Sequence, residues 1–214
     1  MIDFPVTLRF KLFAIASQIS VRDAQDREVL YVKQKLFKLK EHVQVYRDST
    51  MQELLFEIRA DKMIDFSARY NFIHSATGTE LGHISRQGMR SLWRASYDIY
   101  SGAQQQLVYH ISEENPFVKL IDGAIEMIPI VGPILDIFQG MFLNPKYLVT
   151  DETRQRLAFR IIKKRSWHEG MFVLEAAQDP TSGETFDPYS LNDEKLMTVL
   201  LSVLMMVLLE KNRG

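Results

Sequence analysis

The residues with the clearest chemical potential are basic and recur at strand spacing. Lys33 and Lys35 sit two apart in EVLYVKQK, and Arg156, Arg160 and Lys164 fall on even steps of RLAFRIIKK, with Lys163 and Arg165 adding charge beside them. In an extended strand, residues two or four apart project from one face. Two such faces could each offer cations to a phosphate-bearing head group through charge-assisted hydrogen bonds. The competing account is that exposed strands carry lysine to discourage edge pairing and aggregation. Lys33, Lys35, Arg156, Arg160 and Lys164 are therefore the candidate ligand-binding residues.

Other constellations are thinner. The histidines, His42, His74, His83, His110 and His168, fall on separate elements. His74 and His83 would share a face if RYNFIHSATGTELGHIS is a hairpin turning at Thr77-Gly78, which sets His83 opposite Phe72. Two diagonal histidines fall short of a metal site's ligand set. Asp122 and Glu126 are four apart on a helical pattern, which reads as a solvated helix face before it reads as an acid–base pair. The sequence holds no G-x-S-x-G elbow, no phosphate-binding glycine loop ending in Lys-Ser/Thr and no H-E-x-x-H pair. No catalytic residue, metal or cofactor is expected.

Composition narrows the classes further. The 214 residues carry a net charge of −1, so bulk electrostatics draw the chain neither to nucleic acid nor to anionic lipid. No basic recognition helix offers a local route to nucleic acid. There are no cysteines, which excludes disulfides, thiolate metal sites and cysteine nucleophiles and suits a reducing compartment. The N-terminus, MIDFPVTLRFKLF, lacks the basic start, long apolar run and small-residue cleavage site of a secretory signal. The expected location is cytoplasmic, peripheral where it meets a membrane.

The elements that must position these residues are short strands followed by one helix. Leu8, Phe10 and Leu12 alternate with Arg9 and Lys11; Leu30 and Val32, then Val43 and Val45, alternate about a bend near residues 36–40. Further strands are expected at residues 53–61, in the hairpin at Thr77-Gly78, at 89–100 and at 105–112, and after residue 145 in KYLVTD, RLAFRIIKK and MFVLEAA. Between them, FVKLIDGAIEMIPIVGPILDIFQGMFLNP is broken by prolines at 129 and 133, leaving short helices near 117–127 and 134–142. Its residues 127–143 form an apolar stretch that either closes the end of the fold or meets a membrane or partner. Last comes LMTVLLSVLMMVLL, Leu196 to Leu209, with only Thr198 and Ser202 polar. A helix apolar on every side must lie within protein or lipid. This run is too short to span a bilayer, which predicts a buried helix from about Asp193 to Lys211.

Several stretches together carry a family likeness: YVKQKLF (31–37), ENPFVKLIDG (114–123), IPIVG (128–132), NPKYLVTD (144–151) and the terminal LMTVLLSVLMMVLLEKNRG. In this order they resemble the LURP-one-related proteins, part of the superfamily of tubby C-terminal domains and phospholipid scramblases. The resemblance covers nearly the whole chain and implies one domain over residues 1–214. It implies a mainly β fold, a closed antiparallel barrel of twelve strands around a central hydrophobic C-terminal helix, with the 117–143 excursion added. Tubby domains bind phosphoinositide head groups at a basic patch and scramblases act at membranes with calcium, but neither a calcium loop nor a tubby phosphoinositide site is legible here. The function expected first is a non-enzymatic binding or scaffold module, for anionic phospholipid at a membrane surface or for a protein partner. Lipid transfer or scrambling through residues 127–143 is a second reading, and an enzyme with an unrecognised site a third.

Overall fold

The computed structural model describes residues 1–11, 16–35, 42–61, 68–87, 95–102, 105–114, 146–164 and 169–211. The expected excursion at 117–143, with Asp122 and Glu126, lies outside these residues, as do Trp93, Arg94, Arg165 and His168. The described strands are β1 (Val6–Lys11), β2 (Ala16–Arg22), β3 (Glu28–Lys35), β4 (His42–Tyr46), β5 (Leu54–Ala60) and β6 (Arg69–His74), then β7 (Glu80–Arg86), β8 (Ser96–Ser101), β9 (Gln106–Glu113), β10 (Lys146–Asp151), β11 (Arg156–Lys164) and β12 (Glu169–Ala176). Each pairs antiparallel with its sequence neighbour, and β1 pairs with β12, closing a twelve-stranded barrel. Closure leaves no free sheet edge, the strongest available defence against edge-to-edge association.

The helix α1 (Asp193–Lys211) fills this barrel. Its start is set by Asn192, whose side-chain oxygen accepts from the Lys195 backbone N–H at 2.9 Å, with Asp193 and Glu194 in the first turn facing the positive end of the helix dipole. From Thr198 to Leu208 every residue is at most 1% exposed, so all sides of the helix are covered, as an all-apolar helix requires. The inner faces of the strands supply the covering: Leu8 and Phe10, Ile19 and Val21, Leu30 and Val32, Val43 and Val45, Tyr97 and Ile99, Phe159 and Ile161. The two polar side chains are handled differently. The Thr198 hydroxyl donates back to the Glu194 carbonyl at 2.9 Å, whereas the buried Ser202 hydroxyl has no hydrogen-bond partner among the described residues. At the far end the Tyr97 hydroxyl donates to the Glu210 carboxylate at 2.6 Å, fastening helix to wall. No helix among the described residues is long and apolar enough to cross a membrane.

Two glycines let backbone and rings fit this interior. Gly82 on β7 faces the helix, and a side chain there would run into the Tyr100 carbonyl and come within 3.2 Å of the Thr198 methyl. Gly170 on β12 lies under the Phe10 ring, which occupies the space its own side chain would need.

One rim is closed by acidic turns. Asp23 accepts from the backbone N–H groups of Gln25 and Arg27, both at 3.0 Å, and Asp151 from those of Thr153 and Arg154, at 2.9 and 3.1 Å. Asp179 accepts from Leu157, Thr181 and Ser182, at 2.8, 2.9 and 3.0 Å. A short carboxylate satisfying otherwise orphaned turn amides is the reason Asp is chosen at such positions. Next to Asp179, Phe186 packs edge-on against Phe159 with ring centroids 4.9 Å apart and helps cover that end of the barrel.

Because the barrel cannot collapse around a void in its central helix, Leu204→Ala is expected to lower unfolding free energy by about 2–5 kcal/mol, the range for buried leucine truncations. Equilibrium urea denaturation measures it; a loss well under about 1 kcal/mol would mean that Leu204, 0% exposed here, is not enclosed.

Candidate functional site

With the inner face consumed by packing, polar chemistry falls on the outer wall. The described wall has a groove of about 290 Å³ across β1, β2 and β3, lined by Arg9, Phe10, Gln18, Ser20, Arg22, Glu28, Tyr31 and Ser49. Its polar lining follows from strand alternation. Leu8, Phe10, Ile19, Val21, Leu30 and Val32 face inward, so Arg9, Gln18, Ser20, Arg22 and Tyr31 face out. Register then brings them together: Arg9 pairs with Ser20, Ser20 with Tyr31, and Gln18 with Lys33.

The groove is charged but internally balanced. Arg22 is anchored by its Nε donating to the Ser20 hydroxyl at 3.1 Å, by the Asp26 carbonyl at 2.9 Å, and by Glu28 at 3.7 Å. Arg9 lies 3.4 Å from the Asp26 carboxylate, and its buried Nε has no hydrogen-bond partner among the described residues. Glu28 accepts from the Ser20 hydroxyl at 2.6 Å and the Ser49 backbone N–H at 2.8 Å. Burial pulls its carboxyl upward, but those bonds and the Arg22 charge outweigh this and hold it below the usual carboxylate range. The floor is thus a fixed carboxylate and the sides are two guanidiniums.

The expected basic residues fall into different places. Lys33 is exposed on β3 directly opposite Gln18, at the groove's margin. Lys35 pairs with Ala16 at the end of β3; its side chain lies outside the described residues. Lys164 pairs with Met171, which pairs with Arg9, so it stands two strands from Arg9, roughly 10 Å around the wall. Arg160, opposite Glu175, is on the same strand four residues away, roughly 13 Å further along. Arg156 does not share their face. A register shift between Val149 and Thr150 sets Arg156 opposite Asp151, on the inner side of the rim, where its guanidinium lies 5.4 Å from the centroid of the Phe186 ring and 3.5 Å from Glu184. Strand alternation alone could not show this, because a bulge flips every residue beyond it. In the sequence Arg9 is an ordinary strand cation and Arg22 opens a turn, Arg22 to Glu28; what singles them out is the pairing of β1 with β2 and the turn that follows.

The histidine pair separates for a similar reason. A shift between Phe72 and Ile73 pairs Phe72 with Gly82 and Asn71 with His83, correcting the expected Phe72–His83 opposition by one residue. One residue of slip reverses the face. His74 turns inward, edge-on to Phe56 with centroids 5.3 Å apart, and His83 turns outward, stacked on Tyr100 at 4.5 Å and 8°. Among the described residues no cluster of three or more His, Asp or Glu could hold a metal.

β8 and β9 carry a third polar arrangement. His110 Nδ1 is 2.7 Å from Asp98, its Nε2 is 3.4 Å from the Ser96 hydroxyl, and Gln87 donates to Asp98 at 2.6 Å. The order matches that of a hydrolytic relay. Yet the Ser96 hydroxyl is shared with the Gln87 oxygen at 3.5 Å and the adjacent Ala95 N–H is committed to Glu113 at 3.3 Å. A closed ring of mutually satisfied groups is a stitch between strands, whereas acyl transfer asks for donors held ready for an oxyanion.

Comparison with known proteins supplies the family. The model of the LURP-one-related family matches residues 8–127, more than half of the chain. The chain is a LURP-one-related protein. The match runs from within β1 through β9 and includes every residue lining the groove. LURP-one-related proteins belong to the tubby-like superfamily, whose closed barrel the twelve strands reproduce, and membership points to a binding module on a typically non-enzymatic fold. No curated protein and no solved structure matches this LURP-one-related chain.

His83 gives the wall a measurable pH signature. Burial, and then the nearby Arg69 charge, push its pKa down from 6.5 to about 4. A folded-state pKa below the unfolded one means the unfolded chain takes up the proton first. Stability is therefore complete above about pH 6.5 and is lost as pH falls toward 4. The loss attributable to His83 is roughly 2–4 kcal/mol, and His83→Gln is expected to flatten this limb in denaturation series across that window. An unchanged slope in the variant would assign the acid sensitivity elsewhere.

Proposed function

We propose that this LURP-one-related barrel is a binding module that takes the phosphate of an anionic phospholipid head group in the groove of β1–β3, working peripherally at a membrane surface. The observation that carries the reading is Arg9: a guanidinium on a groove wall with a buried, unpartnered Nε among the described residues, opposite Ser20 and beside the anchored Arg22. Planar guanidiniums suit two oxygens of one phosphate, and the Ser20 and Tyr31 hydroxyls and the Gln18 amide can complete the shell. Lys33 and Lys164 flank the groove along the wall, where they would add attraction to an anionic surface without a fixed contact. The alternative of lipid transfer rests on residues 127–143, outside the described residues, and no observation here favours it.

Vesicle flotation tests the reading. Phosphatidylcholine vesicles doped with phosphatidic acid should carry the protein upward at low salt, plain phosphatidylcholine vesicles should not, and moderate salt should weaken the association. The double variant Arg9→Gln, Arg22→Gln should bind at least about tenfold more weakly. Arg160→Gln, equal to either single change in charge but remote from the groove, should bind as the parent does. Equal loss in Arg160→Gln would reduce the effect to net charge, and no flotation of the parent under any condition would point to a protein partner.

A further inference from the structure

The groove already holds an anion of its own. Asp26, in the turn between β2 and β3, places one carboxylate oxygen 3.4 Å from Arg9 and the other 3.3 Å from Arg22, bridging the two guanidiniums that would receive a ligand. We propose that the Asp26 carboxylate is a built-in competitor, occupying the anion position between the two guanidiniums and leaving it when a phosphate group binds. The inference rests on the groove reading above and adds its regulation.

Three observations support it. Asp26 is 65% exposed, so its carboxylate is drawn to the arginines without being packed there and is free to leave. Its backbone sits at φ +60°, a left-handed conformation that costs any residue but glycine, with Asp and Asn the mildest exceptions. The turn is nevertheless held without the carboxylate, by the Asp26 N–H donating to the Asp23 carbonyl and the Asp23 N–H to the Arg27 carbonyl, both at 3.0 Å. Release of the side chain therefore does not require the turn to unfold. The two arginines differ in what remains to them. Arg22 keeps the Ser20 hydroxyl, the Asp26 carbonyl and Glu28, so it stays in place as a preset clamp. Arg9 gives up its ion pair with Asp26, the one it makes among the described residues, and its terminal guanidinium nitrogen turns to the incoming group. A monoanionic carboxylate is exchanged for a phosphomonoester, such as that of phosphatidic acid, with more oxygens and more charge, which is the direction in which the exchange gains.

The test removes the competitor while keeping the clamp. Asp26→Asn preserves shape, and Asp26→Gly also suits the left-handed backbone, so at least one should fold with the parent's melting temperature. Both should bind phosphatidylcholine vesicles doped with phosphatidic acid about three- to tenfold more tightly than the parent, the scale of releasing two exposed ion pairs. Glu152→Gln, the same charge change in the turn between β10 and β11, should not tighten binding. Inorganic phosphate added to these vesicles separates the sources: displacement at millimolar-scale concentration assigns the site to phosphate as such, and resistance assigns it to the lipid-borne group. If the parent binds through Arg9 and Arg22 but both Asp26 variants match Glu152→Gln or bind more weakly, Asp26 is no competitor and only the groove reading stands. If neither the parent nor the Asp26 variants bind, the groove reading falls and takes this one with it.

Discussion

A helix that is apolar on all sides can exist in water only if something encloses it, and the fold follows from that requirement. From Thr198 to Leu208 the surface of α1 is removed from solvent all round, and a two-layer packing covers just one side of a helix. Twelve strands in a closed ring supply the full circumference. The same closure satisfies the strands' own edges, so one arrangement answers both demands. The helix in turn fills a barrel of this size, whose interior would otherwise be open.

Filling the interior has a consequence for function. Inner positions are committed to the core, and the residues left for recognition are those of the outer wall and the rims. On that wall chemistry is assembled by register. Tyr31, Ser20, Arg9, Met171 and Lys164 form one row across β3, β2, β1, β12 and β11, joining residues from both ends of the chain. Arg9 stands at the centre of that row because β1 has β2 on one side and β12 on the other. A wall built this way can place cations from distant segments, such as Arg9 and Lys164, within about two strand spacings of each other.

Small irregularities in register decide which residues take part. At the β6–β7 pair, the one-residue shift gives the inner position to Gly82 and the outer one to His83. The exchange serves the core, since the helix comes close to β7 at Thr198 and leaves no space for an imidazole. At the β10–β11 pair, another shift sends Arg156 to the rim, where it covers Phe186 and has its charge answered by Glu184. In both pairs the register shift, and not strand alternation alone, sets the face on which the side chain lies.

The sequence by itself determined the architecture. Period-two alternation marked the strands, the apolar run at residues 196–209 marked a buried helix from Asp193 to Lys211, and the ordered family stretches joined them into a barrel, because burial demands and strand periodicity are local properties of a chain. It also placed Lys33 and Lys164 on outward positions. Only the tertiary structure decided which cations meet. Arg9 and Arg22 are thirteen residues apart and read as a solvated strand position and a turn residue until β1 pairs with β2 and the following turn lays Asp26 between them. Alternation puts Arg156 on the face of Arg160 and a regular hairpin sets His83 opposite Phe72, and neither holds because a bulge adds a residue without leaving any mark in composition or alternation. A side chain's face depends on counting residues from a fixed register, and register is settled by the packing of the helix and the closing of the ring, interactions that no short stretch of sequence contains.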